Sequence, residues 1–202
     1  MSLSEAERDL VVSLIHAGVQ SSTERLGRMS GAEWGVNFAG TQEMSPVKIL
    51  TWFAHNQQTH LAVRFRSTTE MPLEMMLLFS EESARSVTAA VTKPYAADLT
   101  NVGNLTQSTI GEVCNILAQN VLAVLSDRYQ VSIILSVPEV DEGAKADLAS
   151  TALEDYDGRK DVLLLAHVNL SSERLDAECS MMVIVNEAVM RALLSRPPNP
   201  PA

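Results

Sequence analysis

Hydrophobic and polar positions follow two different periods along this chain, and the pattern predicts two halves built in the same order. Residues 105–128 repeat apolar positions every three or four residues, which is typical of a long amphipathic helix with one face in a core. Residues 5–28 show a comparable pattern in the first half. After each long helix the pattern predicts a strand, a short helix, two strands and a closing helix.

The pattern predicts a definite set of elements in each half. The helices are expected at 5–28, 45–54, 80–92, 105–128, 143–153 and 186–195, and the strands at 33–39, 59–67, 72–79, 130–138, 161–168 and 179–185. We therefore predict an α+β fold (α/β layered) with a pseudo-two-fold repeat of helix-strand-helix-strand-strand-helix. The six strands are expected to form one mixed sheet, with the two long helices together on one side.

The same pattern sets the expected boundaries of a single domain. The first pseudo-repeat is predicted over 5–92, a linker over 93–104, the second pseudo-repeat over 105–195 and a frayed tail over 196–202. The tail, RPPNPPA, is rich in proline and cannot continue the closing helix.

The polar face of the second long helix is unusual for a solvated surface. Its members are spaced i, i+4, i+7 and i+11, so they form one stripe, and they are Ser108, Glu112, Asn115 and Gln119. The stripe contains no Lys or Arg, which usually fill an exposed helix face. Ile116 and Leu122 flank it and are expected to be exposed as an apolar rim. A carboxylate and a carboxamide one turn apart with an apolar rim indicate a docking surface.

The spacing of Ser108, Glu112, Asn115 and Pro138 resembles the signature of the CheC/CheX/FliY family of chemotaxis phosphatases. Asn120, in the local sequence G-E-V-C-N-I-L-A-Q-N, adds to the likeness. The predicted repeat of six elements agrees with the fold that this resemblance implies over nearly the whole chain.

The resemblance implies a function and a partner. It implies a phosphatase whose substrate is a phosphorylated CheY-like receiver domain, with Asn115 positioning water at the aspartyl phosphate and Glu112 docking against a receiver lysine. Ser108 and Pro138 would have structural roles, and Mg²⁺ would belong to the receiver. A carboxamide suffices chemically, because phosphoryl transfer depends mainly on positioning and charge stabilisation.

The first half carries a degenerate counterpart of this stripe. A shift of 99 residues places Asp9 opposite Ser108, Ser13 opposite Glu112, and His16 opposite Asn115. The glutamate and asparagine are both missing there, so one functional site per chain is predicted. His16 remains an alternative acid or base, although an exposed polar residue on a drifted copy is the preferred interpretation.

Charge and cysteine content narrow the class of protein. The formal net charge of −10 argues against nucleic acid and against anionic membranes as partners. Cys114 and Cys179 lie in apolar runs, which favours buried, reduced thiols in a cytoplasmic protein. MSLSEAERDL lacks the basic and apolar regions of a signal peptide, and no apolar run approaches ~20 residues, so no membrane span is expected.

Other functions stay open at the level of sequence. The chain could be a non-catalytic adaptor for a receiver or for a CheD-like deamidase, a flagellar-switch component like FliY, or a homodimerisation module that uses Ile116 and Leu122. The chain ends soon after the closing helix, which counts against a FliY-like rotor domain. The four histidines have no metal-binding spacing, and the nine glycines form no phosphate loop.

Overall fold

The computed structural model describes residues 3–67, 69, 71–95, 103–173 and 175–197. The first half consists of α1 (Glu5–Ser30), β1 (Trp34–Glu43), α2 (Pro46–Phe53), β2 (Thr59–Ser67), β3 (Leu73–Ser80) and α3 (Glu81–Thr92). The second half consists of α4 (Leu105–Tyr129), β4 (Glu139–Ala144), α5 (Lys145–Ala152), β5 (Asp161–Ser172), β6 (Leu175–Asn186) and α6 (Glu187–Leu194). The two halves therefore have the same order of elements, and the α+β fold is confirmed.

Helix boundaries follow local capping chemistry. Ser4 caps α1 and forms a capping box with Glu7, whose carboxylate accepts from the Ser4 amide at 2.7 Å. Hydrogen bonds from Ser4 lower the pKa of Glu7. Gly31 ends α1 at φ +66°, a left-handed conformation that glycine adopts without strain. Ser45 caps α2, whose first residue is a proline.

The six strands form one sheet in the order β1-β5-β6-β3-β2-β4. Exchanging each strand with its counterpart in the other half gives the same order reversed, which is the pseudo-two-fold symmetry expected from the sequence. The β2–β3 and β5–β6 hairpins meet at the β3–β6 pair, and each outer strand lies beside the hairpin of the other half. The halves are thus interlocked within one sheet.

Helices cover both faces of this sheet. On one face α1, α3, α4 and α6 enclose the larger core, which includes Leu26, Phe65, Leu77, Ile110 and Leu117. On the other face α2 and α5 enclose a smaller core, which includes Ile49, Phe53, Met76, Leu78 and Leu163. The two long helices therefore share one side of the sheet, as the sequence predicted.

The long helices cross at a close contact. Gly18 of α1 lies against α4, because a Cβ placed on it would be 2.3 Å from Val121 Cα and 2.9 Å from Asn120 O. Beside this contact, Asn120 Nδ2 donates to Ser22 Oγ at 3.2 Å, and Ser22 Oγ donates to Gly18 O at 3.2 Å. The absence of a side chain at position 18 allows the close approach, and these two hydrogen bonds fix the position of α4 on α1.

Two predictions about the sheet differ from the structure. A mixed sheet was expected, yet every strand pairing within the described part of the chain is antiparallel. A strand was predicted over 130–138, whereas residues 131–138 lie beside the sheet without joining its ladder, and β4 begins at Glu139. The reason is that β4 occupies the edge of β2 from Arg64 to Thr59, so 131–138 reaches β2 only near its end.

The predicted linker and tail are only partly covered. A short 3₁₀-helix spans Lys93–Tyr95, and a turn at 103–104 leads into α4. Residues 96–102 and 198–202, on which the rest of the linker and most of the tail fall, lie outside the described residues. The predicted domain and repeat boundaries stay predictions.

One helix in the described part of the chain, α4, is long and apolar enough by composition to cross a membrane. Its apolar residues are interrupted by polar ones, so the sequence has no uninterrupted apolar run of membrane-spanning length there. Inside the protein 67% of the qualifying window is buried, which is the arrangement of a core helix.

Candidate functional site

Asn115 and Gln119 form a pair of carboxamides on the outer face of α4. Gln119 is exposed and Asn115 is partly exposed. Gln119 Nε2 donates to Asn115 Oδ1 at 3.0 Å. Because a carbonyl oxygen has two lone pairs, Asn115 still offers one acceptor position and both N–H donors to a ligand. The predicted water-positioning side chain is therefore oriented by its neighbour and open to solvent.

Glu112 lies one turn before Asn115 and also faces outward. Its side chain is exposed, and it forms no hydrogen bond or ion pair with any residue that the structure describes. Ser108 is exposed one turn earlier, and its backbone N–H donates to Asn104 O at 3.0 Å in the first turn of α4. The predicted stripe is thus continuous along one face of the helix, with Glu112 available to an external cation.

An open groove of about 450 Å³ runs beside this stripe. Its α4 wall contains Asn115, Gln119, Leu122, Ala123, Ser126 and Asp127. Its other wall is residues 133–136, part of the extended segment 131–138 that we call the flanking segment. Alternate residues of this segment, Val131, Ile133 and Leu135, pack toward the larger core. The alternation of inward and outward side chains that predicted a strand is therefore present, but the segment forms a wall of the groove and not a strand of the sheet.

The flanking segment is held near its C-terminal end. Ser136 N donates to Arg66 O at 2.8 Å, and Arg66 N donates to Ser136 Oγ at 3.1 Å. Glu139, just after the segment, accepts from Arg64 Nη2 at 2.8 Å, and this bond lowers the pKa of the Glu139 carboxyl. Pro138, expected at the end of a strand, instead directly precedes β4, where its missing N–H interrupts no ladder.

The prediction that Ile116 and Leu122 form an exposed apolar rim is wrong. Ile116 is 8% exposed and Leu122 is 4% exposed, and both belong to the larger core. The helix is buried over a wider arc than an isolated amphipathic helix would be, because α1, α3 and β2 all contact it. The argument for a homodimer through these two residues therefore no longer holds, whereas Gln119 is exposed as expected.

Exposed apolar side chains are nevertheless present at this site, on the flanking segment. Ile134 is 66% exposed and Val137 is 83% exposed. They could not be recognised in the sequence, because the alternation over residues 130–138 predicts a strand inside the sheet. The signal available was that Ile134 is apolar at a position where the alternation turns a side chain outward.

Asn120 has a structural role. It is 7% exposed, and its amide is used in the bond to Ser22 that links α4 to α1. It therefore cannot present its side chain to a ligand without breaking the contact between the long helices. Within the motif, Asn120 therefore holds α4 in position on α1 and takes no part in binding a ligand.

The first-half counterpart of the site has a different surface. His16 is exposed on α1, and its ring stacks on Phe38 of β1 with 5.6 Å between ring centroids. Ser13 is also exposed, and its hydroxyl donates to Leu10 O at 2.7 Å. An imidazole stacked on a phenyl ring replaces the open carboxamide pair, and no carboxylate stands opposite Glu112.

A second polar cavity of about 580 Å³ is lined by residues of α2, α3 and α5 and of the strands between them. Lys145 Nζ donates to Ser180 Oγ at 2.9 Å in its wall, and burial lowers the pKa of Lys145. The same wall contains the carboxylates of Glu82, Asp176 and Glu178. The lining therefore combines three carboxylates with one ammonium, a net negative charge that disfavours an anionic ligand.

The two cysteines are poorly placed for nucleophilic chemistry. Cys114 and Cys179 are free and buried, and burial raises the pKa of Cys179 to about 12, so its thiol is protonated at neutral pH. Burial also raises the pKa of Cys114 well above its usual value. Among the described residues no group of three or more His, Cys, Asp or Glu side chains could hold a metal ion.

The interlocked halves, the six-stranded sheet and the paired long helices define the fold of the CheC/CheX/FliY family. FliY from Thermotoga maritima has this fold with 12% identity, 96% coverage of both chains and a TM-score of 0.71. A chain of the FliG–FliM complex from H. pylori is 10% identical, with 94% of this chain and 100% of that chain covered and a TM-score of 0.64.

The fold also occurs in a complex between two chemotaxis proteins. A chain of the CheX–CheY–BeF3–Mg²⁺ complex from Borrelia burgdorferi is 12% identical, with 87% of this chain and 99% of that chain covered and a TM-score of 0.52. No family model and no curated protein matches the sequence. At these identities the likeness establishes the fold alone.

Proposed function

We propose that this protein is a cytoplasmic phosphatase that hydrolyses the aspartyl phosphate of a CheY-like receiver domain in chemotaxis-type signalling. Asn115 enters the receiver's site and orients the attacking water, and Glu112 pairs with a cation of the receiver. The receiver supplies the Mg²⁺. One site per chain acts, because the first half has neither the carboxylate nor the carboxamide.

The observation that carries the proposal is the open carboxamide of Asn115 on a rigid helix. A side chain that must enter a partner's site has to project from a fixed support, and α4 is fixed by its crossing with α1 and by the core. The amide has an acceptor for a water proton and donors for a phosphoryl oxygen. The outward carboxylate of Glu112 one turn away would set the register of docking.

Receiver phosphorylation provides the direct test. A CheY-like receiver is labelled with ³²P in Mg²⁺, freed of phosphodonor, and mixed with wild type, Asn115→Ala or Glu112→Ala. Loss of a single aligning or charge-stabilising group typically lowers kcat by about 100-fold or more, and we expect that loss for Asn115→Ala with KM little changed. Glu112→Ala should raise KM, because it removes a docking contact. Equal turnover by all three proteins would refute the proposal.

A second candidate is a non-catalytic binding module. It is favoured by the likeness to a chain of the FliG–FliM complex, which has a higher TM-score, 0.64, than the chain of the CheX–CheY complex, 0.52. Such a module would bind a receiver, a CheD-like deamidase or a switch protein without hydrolysis. Binding of the phosphorylated receiver with no phosphate release by wild type would favour this candidate.

A further inference from the structure

Exposed aliphatic side chains lie next to the Asn115 groove, on the flanking segment. Large apolar side chains with high exposure are few in the described part of the chain: Val47, Trp52, Tyr95, Ile134 and Val137. Two of these five lie three residues apart on this one segment. Ile134 lines the groove together with Asn115, and Val137 follows the groove wall toward β4.

Ile134 is held outward by the packing of its neighbours, and Val137 follows Ser136, which is hydrogen-bonded to Arg66. Ile133 and Leu135 pack against the larger core on either side of Ile134, so the backbone there has little freedom to rotate. Ile134 N also donates to Thr69 Oγ1 at 3.4 Å. Turning Ile134 inward would expose its neighbours, and the apolar surface is therefore a fixed part of the groove.

The charge of the groove limits what can occupy it. Of the described residues that line it none is basic, and Asp127 contributes a carboxylate. Glu112 adds a second carboxylate on the same helix. A free phosphate or a phosphopeptide would find no basic side chain among these lining residues, so the phosphate must arrive with its own cations. A folded receiver with Mg²⁺ at its aspartyl phosphate meets this requirement.

We propose that Ile134 and Val137 form the apolar half of the surface on which the phosphorylated receiver docks, beside the polar half formed by Glu112 and Asn115. This inference rests on the proposed function and adds the contacts that select the partner. An apolar anchor beside a polar reactive group is the usual composition of the centre of a protein–protein interface. The receiver is expected to cover both side chains with apolar groups that surround its phosphorylated aspartate.

Serine substitutions test the surface without disturbing the core, because both side chains point outward. Ile134→Ser and Val137→Ser should each weaken receiver affinity about tenfold, as expected for an apolar interface anchor, with kcat at saturating receiver unchanged. Val47→Ser is the matched control: Val47 is 74% exposed on α2, on the other face of the sheet, and its substitution should change nothing. Ile134→Leu should retain affinity, and unfolding midpoints confirm that each variant is folded.

Binding is measured separately from hydrolysis, with a receiver loaded with BeF₃⁻ and Mg²⁺ as the probe. If wild type binds but releases no phosphate, and the serine variants bind about tenfold more weakly, the docking surface stands and the phosphatase proposal fails. If Asn115→Ala loses turnover while both serine variants bind as wild type does, the docking surface is refuted and the phosphatase proposal stands. Absence of binding by wild type refutes both.

Discussion

The crossing of α1 and α4 makes Gly18→Ala a sharp test of how the candidate site is positioned. The added methyl group would lie 2.3 Å from Val121 Cα and 2.8 Å from Val121 N. Carbon atoms normally approach to about 3.5 Å, so the helices would have to separate by roughly 1 Å. The obstructing atoms belong to the backbone and cannot rotate away, and the adjacent Asn120–Ser22 bond would lengthen with the separation.

Opposing terms set the size of the effect. Overpacking of this kind costs about 1–3 kcal/mol, and weakening of the neighbouring hydrogen bond costs about 1 kcal/mol more. Alanine recovers about 1 kcal/mol through its higher helix propensity. The expected net loss is about 2 kcal/mol, which corresponds to a fall in Tm of about 4–8 °C for a domain of this size.

The effect is measured as the change in the free energy of unfolding, by thermal and urea denaturation of Gly18→Ala, with Gly111→Ala as the control. Gly111 is also buried within a long helix, but a Cβ there would meet Val140 Cγ2 at 3.7 Å, an ordinary contact. Gly111→Ala should therefore leave stability unchanged or raise it by up to about 1 kcal/mol. If Gly18→Ala is as stable as wild type, or if the two substitutions have equal effects, the close approach of α4 to Gly18 is contradicted.

The remaining predictions concern the carboxamide pair and two histidines, of which His60 is buried and His167 is half-buried. Gln119→Glu replaces the donor to Asn115 with an acceptor, so the Asn115 side-chain amide should rotate by about 180°. We expect kcat to fall about tenfold, which corresponds to the loss of one hydrogen bond of about 1.4 kcal/mol, and KM to stay the same. An unchanged kcat would exclude this positioning role. Burial is the main cause that lowers the pKa of His60 and of His167 below the usual 6.5. The unfolded chain therefore binds more protons than the folded one below about pH 6.5, and the urea midpoint should fall between pH 7.5 and pH 5.5. His60→Gln with His167→Gln should flatten that slope, and an unchanged slope would contradict the assignment.

Much of the fold could be predicted because its elements depend on local periodicity. The strand predicted over 59–67 matches β2, and the helix predicted over 45–54 contains α2, which begins after a Ser cap and a Pro. The common order of the halves could be seen in the sequence because each half alternates the same two periods. The interlocked order of the strands could not, since it depends on contacts between the halves.

The prediction of burial and strand pairing failed where these depend on residues that are distant in sequence. Residues 131–138 alternate like a strand, and whether they pair with a neighbour is decided by β4, which already occupies that edge of β2. Leu122, which the helical pattern alone placed near the polar side, lines the groove with this segment and belongs to the larger core. The polar stripe itself could be predicted, because the alignment of residues on one face of a helix depends only on the helical period. The Ile134 and Val137 surface could not, because it required the segment to lie outside the sheet.

The central claim is that Asn115, and no group in the first half, aligns the water that hydrolyses the receiver's phosphate. The most direct measurement compares phosphate release by Asn115→Ala with release by His16→Ala, its counterpart on α1, from the same ³²P-labelled, Mg²⁺-bound receiver. We expect about 100-fold slower release for Asn115→Ala, as for loss of an aligning group, and a rate within about twofold of wild type for His16→Ala. Release by Asn115→Ala at the wild-type rate, or an equal loss in both variants, would contradict the account.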